Sequence, residues 1–198
     1  KVFAGIVIAP IGGLIVGLLL TGLIITVFAN RKPAPVNKTF GRLQIISSAW
    51  FALTHGANDG QKTMGIIALI LFSAGMIPEL DIPIWVIFAA AAAMGLGTFF
   101  GGYKVIKTLG VKITRLKPYQ GFAAETGGGI MLAAFAVLGI PASTTHAITG
   151  TIMGSGAARR KRAVRWKVSR QIVFSWIITI PGAAGMGIGF TYLIHLFV

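Results

Sequence analysis

The sequence predicts an all-α membrane protein: a multi-span helical bundle with broken helices and a re-entrant-type hairpin. Hydrophobic residues fill 55% of the 198 positions, charged residues fill 11%, and the mean hydropathy is +0.83. A soluble domain usually carries about 25% charged residues. Two stretches, 3–29 and 82–103, contain no charged residue, and each exceeds the roughly 20 apolar residues that cross a bilayer. We therefore treat 1–198 as a single transmembrane domain.

The net charge of +14 is concentrated in a few short segments. Three basic clusters, at 31–42, 104–117 and 159–170, hold 16 of the 18 Lys and Arg residues and alternate with apolar stretches. Short basic loops between spans are typical of the cytoplasmic side of a membrane. This distribution favours a topological role over a nucleic-acid surface, and the absence of cysteine excludes disulfides and thiolate metal sites.

If all three clusters are cytoplasmic, the chain must cross the membrane an even number of times between them, and this sets the direction of every span. In chain order we expect 3–29 to run inward, 42–73 outward, 84–102 inward, 119–158 to start and end at the cytoplasm, and 171–198 to run outward. The loop with Glu79 and Asp81 then lies outside. The segment 119–158 is either a pair of full spans or a re-entrant hairpin.

A first polar motif interrupts the second apolar segment. It reads His55-Gly-Ala-Asn-Asp-Gly-Gln-Lys-Thr-Met-Gly65, and its polar side chains are His55, Asn58, Asp59, Gln61 and Lys62. An ionised Asp inside a membrane costs several kcal/mol unless a partner or a cavity receives it. Gly56 and Gly60 permit the helix to unwind, and freed carbonyls together with Asn58 and Asp59 suit Na⁺, or a proton on Asp59. The alternative is a kinked helix in which Asp59 pairs with Lys62.

A second polar motif lies in the middle of 119–158. Pro141 predicts that a helix begins near 142–144. The free N–H groups and the dipole of such a helix form an anion site, to which Ser143, Thr144 and Thr145 add three hydroxyls, with His146 directly after them. The alternative is that Ser143 or Thr144 only caps the helix.

Other residues give weaker signals. Glu125 stands inside an apolar segment, where it either joins an ion pathway or pairs with Lys62. Glycines four residues apart are typical of close helix packing; the pairs are Gly13 with Gly17, Gly97 with Gly101, and Gly185 with Gly189.

The two motifs, in their order and spacing, resemble those of the PiT family of inorganic phosphate transporters. The Gly-Ala-Asn-Asp segment has the form found in the second half of bacterial low-affinity members. The Pro-x-Ser-Thr-Thr-His segment, 121–125 and the run through Arg165 and Trp166 also match family segments. The resemblance implies two inverted repeats that enclose one phosphate site. It places phosphate at Ser143, Thr144 and Thr145.

The same resemblance implies that Asn58 and Asp59 serve a cation or proton site, with Glu125 as a further coupling candidate. His55, Gln61, Lys62 and His146 are accessory candidates. One copy of each motif is present, so we expect the chain to be the C-terminal part of a longer transporter or a natural half. Its partner would be the N-terminal half or another copy of the chain.

The expected function is secondary active transport of inorganic phosphate by H⁺ or Na⁺ symport, in a multi-pass protein of a bacterial inner membrane. The cargo is phosphate, either free or as a metal complex. We expect no cofactor beyond the coupling ion, and no metal except Na⁺ at Asn58 and Asp59. The alternatives are a permease for sulfate or another oxyanion, an anion channel, and a non-transporting membrane subunit. Neither a nucleophile elbow nor a His-Glu-x-x-His motif occurs, so we predict that the chain is not an enzyme.

Overall fold

All regular secondary structure in the described part of the chain is helical. A computed structural model describes residues 2–196, with side chains from residue 5 onward. The α-helices in this range are α1 (Val2–Val27), α2 (Pro33–Ser73), α3 (Ile84–Lys107), α4 (Pro118–Val137), α5 (Thr144–Arg159) and α6 (Trp166–His195). A π-helical segment, Thr108–Ile113, extends α3, and a 3₁₀ turn, Lys161–Ala163, precedes α6. The predicted all-α class is confirmed.

Three helical segments of the described chain are long and apolar enough to cross a membrane. They are Gly5–Val27, Ile84–Ile113 and Trp166–His195, and they match the first, third and last predicted spans. The chain is an integral membrane protein. Helix α2 and the two helices of the hairpin fall outside this set.

Helix α2 continues without a break through the first polar motif. It has 41 residues, and at 1.5 Å per residue it is about 60 Å long. Proline at its first turn suits a helix start, and Gly75, with φ of 70°, ends it. The expected unwinding at Gly56 and Gly60 was wrong. The physical reason is that His55 and Lys62, one turn to either side of Asp59, bind its carboxylate from the same helix.

Helices α4 and α5 are antiparallel neighbours joined by a short turn within the segment 119–158. Gly139, with φ of 61°, ends α4, and the Ile140 N–H donates to the Phe135 carbonyl at 2.9 Å in the wrapped turn that such a glycine permits. Helix α5 begins at Thr144, inside the predicted interval. The two helices have 20 and 16 residues, which gives lengths of about 30 and 24 Å.

Helices α1 and α5 pack backbone to backbone through small residues. Gly13 and Gly17 on α1 face backbone atoms of α5, so this predicted packing pair is confirmed. Gly150 and Gly154 on α5 face α1 in the same way, a second pair at the same spacing that the sequence analysis missed. Close approach of this kind gives membrane helices the dispersion contacts that hold them together.

A run of three glycines, 127–129, lets α4 pack closely against both α1 and α2. A Cβ on Gly127 would come within 2.7 Å of Val16 on α1, and one on Gly129 within 2.5 Å of Trp50 on α2. Both neighbours would have to move. The glycine run therefore draws α4 against α2 and brings Glu125, two residues before it, to the face of α2.

Helix α6, together with the residue before it, forms a separate compact unit. It is a 30-residue helix with Pro181 inside it. Its first turns carry Lys167 and Arg170, both exposed.

Candidate functional site

Asp59 is the centre of a polar cluster that joins α2 to the start of α5. One carboxylate oxygen, Oδ2, accepts a hydrogen bond from Thr144 Oγ1 at 2.9 Å and lies 3.1 Å from His55 Nε2. The other, Oδ1, accepts from Lys62 Nζ at 3.0 Å. The Asp59 side chain is 33% exposed. A carboxylate with three partners is well satisfied in a region that would otherwise disfavour its charge.

The cluster also fixes the loop before α5. Lys62 Nζ donates to the Ala142 carbonyl at 2.9 Å, two residues before α5 begins. Through Thr144, the Asp59 carboxylate sits at the N-terminus of α5, where the helix dipole stabilises negative charge. The ion pair between Asp59 and Lys62, which the alternative interpretation of the first motif predicted, is therefore present. His55 contacts the same carboxylate. Asp59 occupies the kind of position that a bound anion would take.

The three hydroxyls of the second motif have separate surroundings. Ser143 caps α5, because its Oγ accepts a hydrogen bond from the His146 N–H at 3.4 Å. Thr144 is buried and donates to Asp59. Thr145 is exposed and lines the cavity beside the cluster. The capping interpretation thus holds for Ser143, and joint binding of one oxyanion by all three hydroxyls stays a prediction.

Asn58 connects α2 to α4. Its side-chain amide donates to the Thr54 carbonyl at 2.9 Å and to the Leu132 carbonyl at 3.4 Å. Because the amide nitrogen serves these carbonyls, the amide oxygen is the atom that suits a cation.

The two remaining accessory candidates lie in different environments. Gln61 is exposed on α2. His146 is buried in α5 and is hydrogen-bonded to the backbone of Ile6 on α1. His146 therefore contributes to the α1–α5 contact, in addition to any part in binding.

Glu125 forms a second polar cluster, also against α2. Its Oε2 accepts from Ser47 Oγ at 2.6 Å and from Ser48 Oγ at 3.3 Å, and its Oε1 accepts from Gln44 Nε2 at 3.2 Å. The alternative pairing of Glu125 with Lys62 was wrong, since Lys62 is held by Asp59 and Ala142. The sequence analysis missed the three α2 partners. Their spacing of three and four residues, which places them on one helix face, was the available signal.

A cavity of about 820 Å³ adjoins both clusters. Its polar lining consists of Gln44, His55, Glu125, Thr144 and Thr145 from α2, α4 and α5, together with Thr98. The opposite wall comes from α3 and includes Gly97 and Gly101. In the described chain these two glycines do not pack against another helix, because a Cβ at either position would meet no atom within 4 Å.

Three helices long and apolar enough to cross a membrane, together with a cavity between α2, α3, α4 and α5 that adjoins two carboxylate clusters, define a polytopic membrane protein with a polar site. That is the class to which membrane carriers belong. The model of the phosphate transporter family matches residues 1–187, and the chain belongs to that family. The family consists of transporters and not of enzymes.

Similar proteins agree with this assignment. The chain is 50% identical over 185 residues to a probable low-affinity inorganic phosphate transporter of Rhizobium meliloti, covering 93% of this chain and 55% of that protein. A protein of the same description from Bacillus subtilis is 39% identical, with 94% and 56% covered. The solved structure of a protein described as the sodium-dependent phosphate transporter superimposes with a TM-score of 0.66 at 26% identity, covering 90% of this chain and 54% of that one. The chain thus spans about half the length of these relatives.

Proposed function

We propose that this chain supplies part of the binding site of a transporter that moves inorganic phosphate together with a cation, H⁺ or Na⁺. The observation that carries the proposal is the hydrogen bond from Thr144 to Asp59, which joins residues 85 positions apart. It couples the anion-binding end of α5 to the carboxylate best suited to a cation or a proton. The names and functions of the similar proteins support phosphate as the cargo.

The Asp59–Thr144 contact suggests how anion and cation binding depend on each other. Without substrate, the carboxylate satisfies the N-terminus of α5 and would repel a phosphate. A cation or proton at Asp59, helped by Asn58, would neutralise the carboxylate, leave the positive charge of Lys62 unpaired and release the Thr144 hydroxyl. Phosphate would then bind to the α5 N–H groups and to the hydroxyls of Thr144 and Thr145. Binding of one ion thus favours the other, which is the requirement of symport.

Phosphate differs from sulfate in one useful respect. Near neutral pH phosphate still carries a proton that it can donate to a carboxylate, whereas sulfate has none to donate. Glu125 lines the cavity and is not the group that the coupling ion neutralises, so we propose that its carboxylate selects phosphate over sulfate on the way to the site. The remaining ligands would come from a second half of the transporter or from a second copy of this chain.

The test is uptake of radiolabelled phosphate in cells that lack their own phosphate transporters. The chain is expressed alone and also joined to the segment of the Rhizobium meliloti relative that lies outside the matched region. We expect uptake by the joined protein, driven by a Na⁺ or H⁺ gradient and little affected by excess sulfate. Gradient-independent uptake, or equal competition by sulfate, would refute the proposal.

Hydroxyl removal tests the phosphate ligands. We expect Thr145→Val to raise the KM for phosphate about tenfold, because a hydrogen bond to a charged group contributes about 1.5–3 kcal/mol. Ser143→Ala should cost about 1 kcal/mol of helix capping and affect KM less. The control is Thr179→Val on α6, whose hydroxyl bonds its own helix at the Ser175 carbonyl. An unchanged KM in Thr145→Val would remove Thr145 from the site.

A further inference from the structure

One face of α3 forms a continuous wall of the cavity. The lining positions recur every three or four residues along the second half of the helix and into the π-helical segment, at Met94, Gly97, Thr98, Gly101, Gly102, Val105, Ile106 and Leu109. This is the spacing of a single helix face. Three of the positions are glycine, so the wall is recessed where larger side chains would fill the space.

The opposite wall carries polar groups at two levels. Gln44 and Glu125 mark one level, and His55 with Thr144 marks the other. Gln44 and His55 are 11 residues apart on the unbroken α2, which corresponds to about 16 Å. The cavity therefore extends along the helices and links the Glu125 cluster to the Asp59 cluster.

The end of the cavity nearer Glu125 lies beside basic residues. Its lining there includes Gly110, Val111 and Leu116, all within the basic segment 104–117. Five Lys and Arg residues of this segment lie between and beside the lining positions. A mouth surrounded by positive charge raises the local concentration of anions.

The cavity, of about 820 Å³, has room for several water molecules. Carboxylate, amide, imidazole and hydroxyl groups along one wall give such waters hydrogen-bond partners.

We infer that this cavity is a water-filled passage along the glycine face of α3, which connects the Asp59–Thr144 site with the basic side of the membrane and through which an oxyanion leaves the site during uptake. The inference rests on the proposed function for the nature of the cargo. The existence and the sidedness of the passage are independent of the cargo and are measured separately.

The natural chain offers a clean background for the experiment, because it contains no cysteine. Single cysteines are introduced as Gly97→Cys, Thr98→Cys and Gly101→Cys in the joined protein, with any cysteine of the added segment replaced. The two glycine positions have open space at Cβ, so the variants should fold. The control is Phe100→Cys, which lies on the opposite face of the same helix and is 79% exposed in the chain.

A charged, membrane-impermeant thiol reagent is applied to inside-out and to right-side-out vesicles. We expect the three cavity positions to react from the cytoplasmic face at least ten times faster than Phe100→Cys. Rates equal to that of Phe100→Cys, or reaction from the external face alone, would overturn the inference. Fast cytoplasmic labelling in a protein without phosphate uptake would uphold the passage and refute the proposed function instead.

Discussion

Asp59→Asn is expected to reduce cation-coupled phosphate uptake at least about a hundredfold. The substitution keeps the shape of the side chain but removes the charge that pairs with Lys62 and His55. Hydrogen bonds to charged groups contribute about 1.5–3 kcal/mol each, and every 1.4 kcal/mol is a factor of ten. The loss of the charge also removes the group that a coupling cation or proton would bind. The measurement is the initial rate of radiolabelled uptake in the presence and absence of the ion gradient.

Two further variants separate coupling from structure. Glu79→Gln removes an exposed carboxylate in the loop after α2, and uptake should stay unchanged. Asp59→Asn combined with Lys62→Met removes both charges of the pair, which relieves the unpaired lysine that the single change creates. We expect the double variant to be expressed as well as the unchanged protein but to show no gradient-driven uptake. Normal coupled uptake in the double variant would show that Asp59 has a structural role alone.

Gly17→Val is expected to cause a large loss of stability. A Cβ at this position overlaps the carbonyl group of Thr151 on α5, and the Thr151 Cα would lie 2.9 Å away. Both neighbours are backbone atoms, so the strain cannot be relieved by a side-chain rotation. Forcing extra atoms into a packed interface costs about 1–3 kcal/mol. Each kcal/mol lowers the melting temperature by about 2–4 °C in a protein of about 150–250 residues and by less in a longer one.

The matched control is Gly22→Val, five residues further along α1. A Cβ at Gly22 would meet no atom within 4 Å in the described chain, and the substitution adds the same atoms to the same helix. Thermal unfolding of the joined protein in detergent compares the two variants. Equal melting temperatures would mean that close contact between α1 and α5 does not limit stability.

The candidate site was predicted in composition but not in connectivity. Asp59, Lys62, Thr144 and Glu125 all stood out, because polar residues inside apolar segments need a reason to be there. The hydrogen-bond partners of these residues were harder to predict from the sequence. The pairing of Asp59 with Lys62 is local, so it could be anticipated, whereas the Thr144 bond depends on where the hairpin meets α2. Pairing of Glu125 with Lys62 was considered because opposite charges can be recognised in a sequence. The actual partners of Glu125 have neutral side chains, which a search for opposite charges does not find.

The sequence by itself determined the membrane class, the long apolar spans, the start of α5 after Pro141 and the family. These features depend on hydropathy, local backbone restriction and specific motifs, all of which are properties of neighbouring residues. The tertiary structure alone decided that α2 is unbroken, that Gly150 and Gly154 hold α1, and that the glycines of α3 line a cavity. The same four-residue glycine spacing serves packing on α1 and open space on α3. Which of the two applies depends on what lies opposite the helix, and that is a matter of three-dimensional packing.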